Sequence, residues 1–342
     1  MIENKKIKIH IKNNHGSSGT FPCDLEGEKN FTITKEHLEK ALENEAQIRE
    51  QVEIFIDWDE DNFNSSMSNS EILLTYDFPT TKIKEIAPNL KWIHCTAAGV
   101  EHLSPFSWAF EKLIITNSSG VHAKKAGEYG LMSVLMLQNH MPKIITNQKN
   151  KKFVSLFSNP ISGKNIVLVG TGSLGSSMAR LVEPLGANII GVNKKGKPVE
   201  GCSKIITIEK IDSILPEADI LYLALPETSE TKNLINRKKL DLLKPSCGII
   251  NIGRQSVLDY EVLCEKLNKQ EIAGAILDVF TPEPINNNSK LWHTPNLVIT
   301  PHVSSDDNGN YVKMTLDLFV KNLKLYIENK ELTNQIDKNL GY

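Results

Sequence analysis

Three short segments of this chain carry side chains suited to proton and carboxylate chemistry, and a fourth, almost bare of side chains, is suited to holding phosphate. Arg254 lies in Asn251-Ile-Gly-Arg254-Gln-Ser-Val-Leu-Asp259 and His302 in Ile299-Thr-Pro301-His302-Val-Ser304. Two carboxylates, Asp278 and Glu283, lie in Leu277-Asp278-Val-Phe-Thr-Pro-Glu283-Pro284. Each segment follows an apolar run that reads as a strand (Gly248–Ile252, Ala273–Asp278, Leu297–Thr300), and open parallel α/β sheets bind ligands beyond the carboxyl ends of their strands. The fourth is Gly170-Thr-Gly172-Ser-Leu-Gly175, between the strand-like run Asn165–Val169 and a helical run. Its first glycine permits a tight turn, its second lets backbone approach a pyrophosphate, and its third lets helix and strand pack closely. With strand, helix and following strand all present, the motif reads as a dinucleotide site. An arginine, a carboxylate and a histidine beside a nicotinamide suit hydride transfer to a keto acid.

The strand after the glycine helix, Asn188–Val192, ends in Asn193-Lys194-Lys195-Gly196-Lys197. An acidic residue is expected there when the ribose 2′-hydroxyl of NAD is bound. Asparagine does not repel a 2′-phosphate and the lysines attract one, so NADP(H) is favoured as cofactor, with NAD(H) left open.

Together these segments resemble the D-isomer-specific 2-hydroxyacid dehydrogenase family over most of the chain. The resemblance takes in Trp92-Ile-His-Cys-Thr-Ala-Ala98-Gly99-Val100, similar to the family's substrate loop. It also takes in Ile115-Thr-Asn117-Ser-Ser-Gly-Val-His-Ala, Glu128, and Ala224-Leu225-Pro226-Glu-Thr-Ser-Glu-Thr231. It implies that Arg254 holds the substrate carboxylate and keto oxygen. His302 would be the general acid in reduction and the base in reverse, with Glu283 orienting it and raising its pKa. Gly99 and Val100 would offer backbone N–H groups to the substrate. Asp278 would bind the nicotinamide carboxamide. Ser173 and Leu174 would cradle the pyrophosphate with Gly170, Gly172 and Gly175, and Asn193, Lys194, Lys195, Leu225, Pro226, Thr231, Ile252, Gly253 and His302 would complete the cofactor site. Gln255 stands where the family most often has glycine, which puts the pocket's shape in question. Glu283, where formate dehydrogenases carry glutamine, argues against formate. The chain runs about forty residues past His302, too few for the regulatory extension of many phosphoglycerate dehydrogenases.

The elements that must position these residues alternate. Strand-like runs at Lys6–Lys12, Val52–Asp57, Ser70–Tyr76, Leu90–Thr96 and Leu113–Asn117 are separated by helical Thr34–Gln51 and Thr80–Ile86, with a loop expected at Asn62–Ser70. A long helix is expected from Val121 to about Met141, apolar on several faces and so buried between domains or subunits. Strands recur at Asn165–Val169, Asn188–Val192 and Ile220–Leu225, and an amphipathic helix carries Val312, Leu316, Phe319, Leu323 and Ile327. Alternation of this kind predicts an α/β protein with parallel sheets. By resemblance, a Rossmann dinucleotide-binding domain (118–303) is inserted into a flavodoxin-like substrate domain (1–117 and 304–342), two doubly wound sheets with the site in the cleft between them.

Composition excludes other classes. In 342 residues, 40% are hydrophobic and 23% charged, which is neither a disordered chain nor a coiled coil. A net charge of −2 gives no reason to expect nucleic-acid or membrane partners. Cys23, Cys95, Cys202, Cys247 and Cys264 show no Cys-x-x-Cys spacing, so neither a disulfide framework nor a metal site is expected. The start lacks the apolar core of a signal peptide, and a reducing cytoplasm is the expected location. His10, His15, His37 and His140 read as ordinary surface or core histidines; His122, Trp292 and His293 suit subunit packing as well as chemistry. Asp259 could tune the site's acidity, with a helix N-cap the preferred reading. The resulting expectation is a homodimeric reductase of small 2-keto acids such as glyoxylate or hydroxypyruvate. The alternatives are a D-3-phosphoglycerate or other D-2-hydroxyacid dehydrogenase working oxidatively, or a cofactor-sensing protein like the corepressors built on this fold.

Overall fold

The computed structural model describes residues 6–17, 21–22, 24–307 and 309–341. The chain divides into two compact units, Met1–Val121 with Asp307–Tyr342, and His122–Asp306.

The first unit is built on strands β1 (Ile7–Asn13), β2 (Val52–Trp58), β3 (Ile72–Thr75), β4 (Trp92–Cys95) and β5 (Ile114–Asn117), all parallel in the order β2-β1-β3-β4-β5. That is the flavodoxin-like order. Both faces are covered, and the inner strands β3 and β4 are buried at every residue, whereas the edge strand β2 alternates with exposed positions. Ile9, Ile11 and Trp92 pack with Leu316, Phe319 and Leu323 of the helix Tyr311–Ile327 on one face. Leu73, Ile93 and Ile115 pack with Phe63, Met67 and Ile83 on the other.

Here the structure corrects two sequence expectations. The loop expected at Asn62–Ser70 contains the helix Phe63–Met67, because Phe63 and Met67, one turn apart, are both buried. The single helix expected over Thr34–Gln51 is two, Lys35–Ala41 and Ala46–Gln51. Arg49 of the second donates from Nε to Leu42 O (2.7 Å) and from Nη2 to Glu39 O (2.7 Å), so its guanidinium satisfies the carbonyls freed at the break.

The second unit carries β6 (Asn165–Val169), β7 (Asn188–Asn193), β8 (Lys204–Thr207), β9 (Ile220–Leu223), β10 (Gly248–Asn251), β11 (Gly274–Leu277) and β12 (Leu297–Ile299). They form one parallel sheet in the order β12-β11-β10-β9-β6-β7-β8. This is the Rossmann order extended at one edge, with the direction of winding reversing between β6 and β9. The long helix runs Ala123–Gln138, and a second, Met141–Lys149, follows after His140 turns through a φ of 55°. Its buried residues, Ala126, Gly127, Tyr129, Gly130, Ser133, Val134 and Leu137, form one stripe, and Met132 is exposed. Edge strand β8 has no counterpart in the sequence reading: Lys204–Thr207 is short, and its residues are at most half-buried.

Cys95, Cys202, Cys247 and Cys264 are free thiols; Cys23 lies outside the described residues. Among the described residues no helix is long and apolar enough to cross a membrane, and no cluster of His, Cys, Asp and Glu is placed to hold a metal ion.

Candidate active site

The glycine turn is shaped by what cannot fit there. Gly170, at a φ of 98°, leaves a β-carbon only 2.5 Å from Ala224 O, and one on Gly175 would stand 2.1 Å from Gly170 O. A side chain at either position would push the turn off β9 or the helix off its strand. At Gly172 the space is open, with nothing within 4 Å of where a β-carbon would be. The helix Ser173–Val182 begins there without a side-chain cap, so its first N–H groups, Ser173 and Leu174 among them, are presented to an anion. At the end of β7, Asn193 donates from Nδ2 to Thr171 Oγ1 (3.0 Å) and Lys197 O (3.0 Å), while its buried Oδ1 has no partner. An open glycine, an uncapped helix start and an orphaned acceptor fit a dinucleotide's pyrophosphate and ribose.

Neighbouring loops close against this turn. Leu225 Cδ2 lies 3.1 Å from the β-carbon position of Gly170, and Leu225 O lies 2.5 Å from that of Gly253. Thr231, nearly buried, donates to Pro226 O (2.7 Å) and accepts from Thr228 N (2.8 Å), folding the loop after β9. Lys194 Nζ is 2.8 Å from both carboxyl oxygens of Glu230 in the same loop. Ile252 is buried and its N–H donates to Leu223 O.

Beyond β10, β11 and β12, adjacent in the sheet, stand the charged residues. Asn251, fully buried at the end of β10, accepts from Gly253 N (3.0 Å) and donates to Arg254 O (3.0 Å) and the Tyr260 hydroxyl (3.2 Å). Tyr260 in turn donates to Val279 O (2.8 Å), tying the Arg254 loop to the loop after β11. Arg254 Nη1 donates to Gly253 O (2.9 Å). Gln255 points away from the guanidinium's loop and accepts from Thr281 N, a second tie between the same two loops. Asp259 caps the helix Tyr260–Asn268 through Val262 N (3.1 Å).

Glu283 accepts from Phe280 N on Oε1 (2.7 Å), and its Oε2 is 2.8 Å from His302 Nδ1. Burial alone would lower the imidazole's pKa, but the Glu283 hydrogen bond and charge outweigh it and raise it above the ordinary histidine value, with Arg254 opposing and Asp278 assisting. Burial likewise pushes Glu283 up, yet the hydrogen bond and charge of His302, the Phe280 N–H and Arg254 hold it below the usual carboxylate range. Each partner thus favours the charged form of the other, with Nδ1 committed to Glu283 and Nε2 left to carry a transferable proton. Asp278, fully buried, accepts from Thr300 Oγ1 (2.5 Å), Val303 N (3.0 Å) and Ser304 N (2.9 Å). About four acceptor positions exist on a carboxylate, so most of this one serves the loop that bears His302.

All sequence-expected site residues except Gly99 and Val100 thus gather along one edge of the second unit's sheet. Gly99 and Val100 belong to the first unit, in the loop after β4, where Ala97 O accepts from Ser118 N (3.0 Å) and Ala98 O from Asn117 Nδ2 (2.6 Å). Asn251, Tyr260, Thr300 and Tyr129 also join the hydrogen bonds around these loops, and the sequence reading does not single them out. A polar Asn251 closing an apolar strand was a usable signal; nothing in the spacing marks Tyr129.

Residues 131–304 match the family described as D-isomer specific 2-hydroxyacid dehydrogenase, NAD binding domain. A glyoxylate reductase of Thermofilum pendens is 30% identical over 68% of this chain and 71% of its own. A D-3-phosphoglycerate dehydrogenase of Synechocystis is 28% identical over 70% of this chain, which spans 43% of that longer enzyme. The crystal structure of a D-isomer specific 2-hydroxyacid dehydrogenase from Xanthobacter autotrophicus Py2, in complex with NADPH and MES, superposes with a TM-score of 0.81 at 22% identity, covering 99% of this chain and 100% of that one.

Proposed function

Since the chain belongs to the D-isomer specific 2-hydroxyacid dehydrogenase family, we propose that it is an NAD(P)-dependent reductase of small 2-keto acids, glyoxylate and hydroxypyruvate foremost. The observation that carries this reading is the Glu283–His302 pair at 2.8 Å, with Arg254 close enough for its charge to act on both. A carboxylate anchor and a poised proton donor are what reduction of a keto acid requires.

A nicotinamide dinucleotide, held at the glycine turn through Gly170, Gly172, Ser173 and Leu174, would supply the hydride to the keto carbon. Arg254 offers its planar fork to the substrate carboxylate and keto oxygen, which fixes the carbonyl in one orientation. His302 passes the Nε2 proton to the keto oxygen: that N–H bond breaks, the O–H bond forms, and neutral imidazole keeps its Nδ1 proton on Glu283. Glu283 stabilises the imidazolium before transfer and fixes the tautomer after it. Gly99 and Val100 are proposed to offer backbone N–H groups to the substrate. Residues 118–303 are proposed as the functional cofactor domain, between substrate-domain segments 1–117 and 304–342.

For the cofactor, NADP(H) is favoured over NAD(H). Asparagine rather than a carboxylate ends β7, and Lys195 and Lys197 are exposed beside it. Lys194 adds less, because Glu230 already neutralises it. A cytoplasmic location is supported by the free thiols of Cys95, Cys202, Cys247 and Cys264. A homodimer is supported by apolar surface on the second unit: Phe153 and Phe157 are 103% and 90% exposed, and Met132, Leu181 and Leu185 are also exposed.

Oxidation of NADPH and NADH, measured side by side with glyoxylate, hydroxypyruvate and a bulky aromatic keto acid, tests the reading. The expected result is turnover of the small acids with preference for NADPH. Turnover only in the oxidative direction with a D-2-hydroxy acid would replace the reductase reading by a dehydrogenase. Tight cofactor binding with no turnover in either direction would favour a cofactor-sensing role.

A further inference from the structure

His302 has a backbone φ of 54°, the left-handed region that a residue with a β-carbon rarely occupies. Such a conformation persists only where its surroundings over-determine it. Around His302 they do. Its own N–H closes a tight turn on Thr300 O (3.0 Å). On either side of it, Asp278 grips the chain: Oδ1 accepts from Thr300 Oγ1 (2.5 Å) and Val303 N (3.0 Å), and Oδ2 from Ser304 N (2.9 Å).

The grip extends one residue further. A threonine hydroxyl has one proton, and that of Thr300 goes to Asp278. The contact between Tyr129 OH and Thr300 Oγ1 (2.7 Å) must therefore be donated by tyrosine. Tyr129 is buried on the helix Ala123–Gln138, and burial pushes its phenol up to about 12, so the proton stays in place at any working pH. The result is a directed chain from Tyr129 to Thr300 to Asp278, ending on the turn that presents the imidazole to Glu283.

We propose that Tyr129 and Thr300 are positioning residues of this active site, holding the His302 turn in its left-handed conformation through Asp278 and so setting where the imidazole meets Glu283 and substrate. This rests on the reading of His302 as the general acid. Neither hydroxyl touches the reacting atoms; both act through the turn.

Thr300→Val removes one hydroxyl at nearly constant shape, Thr300→Ser keeps it, and Tyr129→Phe removes only the outer donor. Each variant is assayed for kcat and KM, for cofactor Kd by fluorescence, and for melting temperature. His302 is also titrated by NMR in ¹⁵N-histidine-labelled protein, a readout that needs no turnover. The groups facing His302 in that titration are Glu283, Arg254, Asp278 and Asp306.

For Thr300→Val we expect kcat to fall about tenfold or more, with cofactor Kd nearly unchanged and the His302 titration moved down toward free imidazole as the Glu283 contact loosens. Thr300→Ser should restore both. Tyr129→Phe should shift both in the same direction by less, and the double variant Tyr129→Phe/Thr300→Val should be no worse than Thr300→Val alone. If Thr300→Val folds and keeps the wild-type titration and kcat, the proposal is overturned; so it is if kcat falls only in step with cofactor affinity. Should Thr300→Val not fold, an unaltered His302 titration in Tyr129→Phe overturns it. If the wild-type enzyme reduces no keto acid, the reductase reading fails while the titration still decides the positioning role.

Discussion

At the scale of single residues, the proposed chemistry turns on the bond between Glu283 Oε2 and His302 Nδ1. His302 is raised because Glu283 outweighs the burial that would lower it. Reduction needs the protonated imidazole, so its rate is full below that raised pKa and falls as pH rises through it; oxidation shows the opposite limb. Glu283→Gln keeps the shape and a hydrogen-bonding group but removes the charge, so burial and Arg254 then act on the imidazole with little opposition. The basic limb of kcat/KM for reduction should move to lower pH in this variant, and a pH–rate profile against wild type measures it. An unmoved limb would mean that the limb belongs to another group. Arg254, Glu283 and His302 could be picked from the sequence because each follows an apolar strand in a fixed order. The work of Asp278 could not: its expected partner was the nicotinamide, and its three protein donors, Thr300, Val303 and Ser304, become apparent only once the loop is folded.

At the scale of elements, the cofactor cradle is a strand, a turn and a helix held too close for side chains. Gly170 meets two constraints at once, a φ of 98° and a β-carbon position 2.5 Å from Ala224 O. Gly170→Ala should therefore destabilise the second unit by more than about 1 kcal/mol and weaken cofactor binding, as thermal melting and cofactor titration would show. A variant with wild-type stability and affinity would mean that the turn is looser than its geometry indicates. Central strands such as Asn165–Val169 are legible to the residue, because burial on both faces writes a nearly unbroken apolar run. Elements that rest on one or two side chains are less legible. Phe63–Met67 is a helix because a single pair one turn apart is buried, and the break after Ala41 holds because Arg49 reaches back to Glu39 and Leu42. One apolar pair and one arginine are too short a pattern to separate a helix from a loop.

At the scale of the molecule, two parallel sheets of flavodoxin-like and Rossmann order were expected and are observed. The order of the motifs made them readable: a glycine turn after β6 and charged loops after β10, β11 and β12 demand a parallel sheet with its ligands at one edge. Assembly is a separate matter. The helix Ala123–Gln138 buries one stripe in its own unit, which leaves Met132 outside, and Phe153 and Phe157 project from a segment without regular structure. Apolar surface of this kind is costly to leave in water. For the proposed homodimer, replacing both phenylalanines by serine should lower the apparent mass in sedimentation velocity toward that of a monomer without unfolding the chain. An unchanged sedimentation coefficient would mean that Phe153 and Phe157 carry no subunit contact.

The decisive comparison is between wild type and His302→Gln, with cofactor affinity by titration and turnover of glyoxylate and hydroxypyruvate measured on the same preparations. Glutamine fills similar space and cannot release a proton to the keto oxygen. Cofactor Kd should be nearly unchanged, and turnover should fall by about 10²–10⁴, the usual worth of a general acid. If His302→Gln reduces keto acids as fast as wild type, the proton comes from elsewhere and the mechanism built on the Glu283–His302 pair is wrong.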